Sequence, residues 1–312
     1  MTRKLSAVER ILLAASRSKR LESFRYDKAD NTLHFKGVVD FPITGFNGDV
    51  KVAGQLTSNL DISGDLTIVD DEKLLLQMGE RTGIVGNGNR IRAANVTVEN
   101  CAGHILGKVD IVTGKLVSYG HIDGDGVNIE CNDLWFNHLR GGAQVTVNGP
   151  ARGFMHHQVN IDGDPLFHNS AKRPTQLIAH TLDIGGKIDG KSVVVVQGDA
   201  KVRYGLTGGA KLACGGSFEG QSVGAAVGHG TSHDAVTYLY AGRDVKIRQG
   251  GKSKVVARGG IDITGPYGFE VSARGMKRVD FGPGPEGVPS KVEPTMPAAL
   301  KAAIDMVPAL AA

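Results

Sequence analysis

Tryptophan occurs once in this chain, aromatic residues make up only 5% of it, and no apolar run reaches the roughly 18 residues that a membrane span needs. The scarcity of rings weighs against a carbohydrate cleft. Together with the lack of a basic stripe interleaved with aromatics, it also argues against a dedicated nucleic-acid groove. Cysteine is scarce too: Cys101, Cys131 and Cys214 are an odd number with no CxxC pair. Neither a disulfide framework nor a cysteine-based zinc site is indicated, and reduced, buried thiols are expected. The apolar run from Ile11 to Ala15 is too short for a signal-peptide core. A cytoplasmic protein is expected, or a virion component if the chain is viral, with no membrane contact. Net charge is only +4, and much of the excess lies in Arg3, Lys4, Arg10, Arg17, Lys19 and Arg20, so no specific nucleic-acid partner is expected.

Nucleotide signatures fail as well. Gly86-Asn87-Gly88-Asn89-Arg90 lacks the third glycine and a following helix, and Gly250-Gly251-Lys252-Ser253 lacks the upstream glycine of a phosphate loop. No cofactor is indicated.

What the chain has is glycine, 44 residues of 312, about twice the usual frequency of about 7%. Without a three-residue period it is not collagen, so these are turns. Between them lie short units in which two aliphatic residues flank one polar residue. Examples are Leu60-Asp61-Ile62, Val96-Thr97-Val98, Val127-Asn128-Ile129, Leu182-Asp183-Ile184 and Ile261-Asp262-Ile263, with Val193-Val194-Val195 as an unbroken apolar run. Each unit puts two side chains inward and one outward on a strand, and none is long enough to stand alone. Stacked coils supply the missing neighbours.

One stretch measures the coil. His104, His121 and His138 are 17 residues apart, each followed by Ile or Leu and by a glycine three positions on, while Val109, Val127 and Val145 recur at 18. Elsewhere the step is 16 from Val50 to Leu66 and 23 from Val159 to Leu182. That irregularity argues against a hexapeptide left-handed helix. The reading is an all-β fold, an irregular parallel β-helix (solenoid) with short terminal helices, right-handed by crossover preference, rather than a Greek-key sandwich. About twelve coils are expected if each takes about 18 to 20 residues.

Five regions follow. Residues 1–25 form an amphipathic helix over 4–24, as a cap or oligomer contact; 26–46 hold opening strands; 47–275 are the β-helix; 276–295 are a Gly/Pro-rich linker; 296–312 are an apolar segment for docking or assembly.

The repeats "GDVKVAG", "SGDLTI", "YAGRDVKIRQG" and "ARGGIDITG" resemble those of bactofilin-type and flagellar-assembly-protein-A-type cytosolic β-helices. The resemblance covers at most residues 48 to 275. It implies a β-helical scaffold, and a bactofilin would polymerise; the greater length, irregular coils and helical ends of this chain depart from that pattern.

Coil stacking predicts that His104, His121 and His138 stand in one row about 4.8 Å apart, which His156 or His157 would extend. Two such imidazoles suit one metal ion, yet collinear histidines do not surround a tetrahedral centre, so a stacked turn ladder, weakened by acid, is the preferred reading. His229 and His233, in Gly228-His229-Gly230-Thr231-Ser232-His233-Asp234, are the other metal candidates, although the glycines favour a loop. Asp110, Asp123, Asp125, Asp162 and Asp164 are the carboxylates a β-helical lyase or hydrolase would need; beside glycine they read first as turn formers.

The function expected is therefore that of a non-enzymatic structural or assembly protein, self-associating or docking structural partners through its termini. A phage or virus structural component and a polysaccharide lyase or glycoside hydrolase are the alternatives.

Overall fold

The structure, a computed structural model, describes residues 5–70, 82–99, 103–154, 159–162, 173–190, 192–224, 237–250, 253–263, 271–273 and 276–281. These form a β-solenoid of about ten turns. The chain divides into two compact units, 1–138 and 139–312.

In the first unit the aliphatic members of the short repeats stack in register. Leu33 pairs with Val50, Val50 with Leu66, Leu66 with Val96 and Val96 with Leu116 along parallel strands. All five are buried. A second ladder, Ile43, Leu60, Ile91 and Ile111, fills the interior from another face. Each such side chain contributes about 1.5–3 kcal/mol by leaving water, and none can do so until its neighbouring coil is in place.

The first coil is covered differently from the sequence reading. The helix occupies only Ala7–Ala15, started by a capping box between Ser6 and Glu9, and it buries Ile11 and Ala15 against the strands Leu21–Asp27 and Ile43–Phe46. The residues expected to continue it instead form the strand Leu21–Asp27, antiparallel to Thr32–Val39. Polar Ser16, Arg17 and Ser18 stop the helix, and the open edge of the first coil offers hydrogen bonds that a further helical turn would forgo.

In the second unit the coils up to Leu206 supply three strands each, and from Lys211 on they supply two, Phe218–Val223 and Val245–Gly250 each running over two faces. One face stacks Ala151, Leu182, Ala200, Phe218, Val245 and Ile261; another stacks Leu177, Val194, Leu212, Leu239 and Val255; the third stacks Ile161, Ile188, Leu206 and Val223. All are buried. The parallel pairing rules out the Greek-key alternative. The last parallel strands are Ser253–Ala257 and Ile261–Ile263; Met276–Phe281 then lies antiparallel on Ser253–Ala257, so the expected linker begins with a strand.

In the second unit most of the variation in coil length lies at one corner. Leu182 pairs with Ala200, 18 residues on, and Val245 with Ile261, 16 on, but Ala151 pairs with Leu182 and Phe218 with Val245 across 31 and 27. The 23-residue step from Val159 to Leu182 is therefore not a register, because extra chain lies between Asp162 and Thr175. Long corners also lower the number of turns from the twelve expected. The segments between Asp162 and Thr175, Asp189 and Ser192, Leu206 and Lys211, Val223 and Thr237, and Gly250 and Ser253 all join the same two faces.

Buried hydroxyls pin that corner. Thr175 Oγ1 accepts the Gly142 N–H at 2.9 Å and donates to the Asp162 carbonyl at 2.7 Å; Ser192 donates to Asp189 O, Thr237 accepts from Gly209 N, and Ser253 donates to Val223 O. Thr175 stands in register with Ser192, and Thr237 with Ser253.

Candidate functional site

The histidine row forms as the spacing predicts. His104 and His121 lie on the long strand Gly103–Asp123 and His138 on Val127–Arg140. The rings of His104 and His121 are 5.2 Å apart at 49°, and those of His121 and His138 are 4.5 Å apart and nearly parallel at 13°. His104 is buried, the other two half-buried. Gly83 is in register with His104 at the head of the row; its φ is +121°, and a Cβ there would lie 1.9 Å from the His104 carbonyl oxygen.

Hydrogen bonding gives the row its role. His121 donates its backbone N–H to His104 Nδ1 at 3.1 Å, and Asn137 Nδ2 donates to the Tyr119 carbonyl at 3.1 Å beside it. His104 is thus a coil-to-coil acceptor. The stacked pair presents ring faces to one another, where a shared ion would need converging nitrogens. Among the described residues no group of three or more His, Cys, Asp or Glu is placed to hold a metal ion. His156, His157, His229, His233 and Asp164 lie outside the described residues.

Two of the candidate carboxylates hold coils together. Asp110 accepts from Asn128 Nδ2 at 2.8 Å, and Asp162 pairs with Arg140 at 3.0 Å. Asp123 is fully buried and Asp125 half-buried. The Asp turns repeat one device: Asp49, Asp199 and Asp244 each accept, through Oδ1, a backbone N–H of the next coil, from Asp65, Ser217 and Gly260 at 2.8, 2.7 and 2.6 Å. Glycine faces each carboxylate, since a Cβ on Gly64, Gly216 or Gly259 would come within 2.3 Å of it. At these three positions the aspartate side chains serve the backbone, and their hydrogen bonds run between coils.

Cys131 and Cys214 are buried, and burial, reinforced by nearby acids, pushes both thiols up to about 12. Neither is a nucleophile at neutral pH. Cys101 lies outside the described residues.

A feature that the sequence reading missed runs along the outside of the second unit. The polar residues of successive strands stand in register as Arg152, Asp183, Lys201, Glu219, Lys246 and Asp262. Charge alternates at every rung. Arg152 is half-buried and the other five are exposed, and the first four border an open groove of about 350 Å³ with Asp199 and Ser217. Tabulating the middle residues of the triplets would have found the column had the coil length been constant.

No family model matches the chain, and neither a curated protein nor a solved structure matches it.

Proposed function

We propose that this chain is a non-enzymatic structural protein that self-associates side by side, one copy against another, through the alternating charge column of its second unit. The column itself carries the reading. Six charges in the order plus, minus, plus, minus, plus, minus become opposite at every position when the order is reversed. Two copies related by a two-fold axis therefore meet with each cation facing an anion, as an isologous interface requires.

Two further observations support a lateral contact over growth at the ends. The strand Leu21–Asp27 lies antiparallel on the first coil, and Met276–Phe281 lies antiparallel on the last parallel strand of its face. A parallel coil of a second copy cannot pair where those strands lie. The repeat resemblance to bactofilin-type scaffolds agrees with a structural role, with the covered edges replacing open-ended polymerisation. The engagement of His104, Asp49, Asp199 and Asp244 in coil-to-coil hydrogen bonds agrees with it too.

Light scattering on three proteins tests the proposal: the unaltered chain, the Asp183→Lys/Glu219→Lys variant and the Lys201→Glu/Lys246→Glu variant. The unaltered chain should be a dimer at low salt that weakens as salt screens the column. Each variant should be monomeric alone, and the two should dimerise when mixed. A monomeric unaltered chain, or variants that associate unchanged, overturns it.

A further inference from the structure

On the outside of the first unit two neighbouring rows of side chains differ in kind. The strands Thr32–Val39 and Asp49–Leu56 turn Leu33, Phe35, Val50 and Val52 inward, so the residues between them face out. Register with the strand Leu21–Asp27 then sets Arg25, His34 and Lys51 side by side on three adjacent strands, about 4.8 Å from one to the next. The row beside it is Ser23, Lys36, Ala53 and Val69. Long basic side chains next to short ones leave a groove of about 280 Å³, lined by both rows and by Phe24, which is 38% exposed.

The charge of the basic row is not balanced where it stands. Among the described residues no carboxylate forms an ion pair with Arg25, His34 or Lys51, whereas Lys36 in the next row is held by Glu22 at 2.9 Å. Like charges directly opposite on adjacent strands cost stability, and the column of the second unit avoids that cost by alternating sign. His34 registers the repulsion: burial, then Arg25 and Lys51, hold its imidazole below the ordinary value although Asp27 and Asp30 pull the other way. On the side of the row away from Ala53, Asp27, Thr32 and Asp49 stand in register, and Asp49 is engaged by Asp65 N. A guest anion over His34 therefore has its room toward Ala53 and Val69.

We propose that this groove binds a small soluble phosphate ester, with its phosphate between Arg25, His34 and Lys51 and its apolar group on Ala53 and Val69. A doubly charged phosphate offers acceptor oxygens to the guanidinium fork, the ammonium and the protonated imidazole together, and it turns their mutual repulsion into attraction. Ala53 and Val69 are half-buried and present apolar surface beside the cations, which favours an ester over the bare ion. The site lies wholly within the first unit and stands apart from the side-by-side association assigned to the second.

Calorimetric titration of the full chain with phenyl phosphate and with inorganic phosphate, together with NMR titration of the His34 ring, tests the proposal. Phenyl phosphate should bind saturably, more tightly than inorganic phosphate, and should raise the pH at which His34 takes up its proton. Arg25 and Lys51 are exposed, so Arg25→Gln/Lys51→Gln should keep the fold by circular dichroism and bind phenyl phosphate at least about tenfold more weakly. The absence of saturable binding overturns the proposal, as do undiminished binding by the double variant, an unmoved His34 titration, and inorganic phosphate that binds as tightly as the ester. Vesicles of phosphatidylcholine and phosphatidic acid that bind the chain when phenyl phosphate does not would assign the groove to a lipid headgroup and overturn it as well.

Discussion

His121 gives its backbone N–H to the Nδ1 of His104, 3.1 Å away. An imidazole that accepts at Nδ1 carries its proton on Nε2 and acts as a fixed polar wedge between coils. Replacing His104 by Leu leaves that N–H without its acceptor and should cost about 1–3 kcal/mol. Thermal unfolding of His104→Leu measures the loss. The same melts with added zinc or with a chelator should coincide for the unaltered chain; a metal-dependent shift would contradict the ladder.

Glycine at the head of this row is required twice over. Gly83 combines a φ of +121° with a Cβ position 1.9 Å from His104 O, whereas Gly88 has a φ of +90° and open space around it. Gly88→Ala should cost only the left-handed strain, about 1–2 kcal/mol. Gly83→Ala adds backbone displacement and should cost at least about 3 kcal/mol. Denaturant unfolding of the pair separates strain from collision.

Thr175 tests the hydroxyl corner. Thr175→Val keeps the shape and removes both the acceptor for Gly142 N and the donor for Asp162 O. The buried Gly142 N–H and the part-buried Asp162 carbonyl both lose a partner, so a loss of about 1–3 kcal/mol is expected, against near neutrality if the corner were solvated. Urea melts at constant m report it.

The fold was legible because its signal is local. Alternation in units such as Leu182-Asp183-Ile184 sets which residues face inward whatever the coil length, and the evenly spaced histidines measured a stretch where the coil length holds. The charge column was not legible. Its members are separated by 31, 18, 18, 27 and 16 residues, so no period connects Arg152 to Asp183 or Glu219 to Lys246. The strand Leu21–Asp27 was also hidden: it is largely exposed, and only the edge of Thr32–Val39 makes it a strand.

Thiol chemistry gives a direct reading of the core. With Cys131 and Cys214 pushed up to about 12, a Cys101→Ser variant should take up no alkylating reagent at pH 8 while folded and two equivalents once denatured. Intact mass spectrometry counts the additions. Labelling of the folded protein would mean that the coils open.

Acid should loosen the first coil. His34 stands across from Arg25 on one side and Lys51 on the other. Burial first, then Arg25 and Lys51, hold its imidazole below the ordinary value against the opposing pull of Asp27 and Asp30. Because the folded value lies below the unfolded one, near 6.5, its contribution is complete above that pH and is lost as pH falls through the folded value. Between pH 7.5 and 5, His34→Gln should lose less melting temperature than the unaltered chain.

The corner that follows Asp162, Asp189, Leu206, Val223 and Gly250 has a practical consequence. The chain joins the same two faces there with as few as two residues, between Asp189 and Ser192, or with thirteen, between Val223 and Thr237, and the registers on either side are kept. A foreign peptide spliced into the thirteen-residue connection between Val223 and Thr237 should therefore be displayed without disturbing either neighbouring strand, which makes this edge a natural grafting site for tags or binding loops.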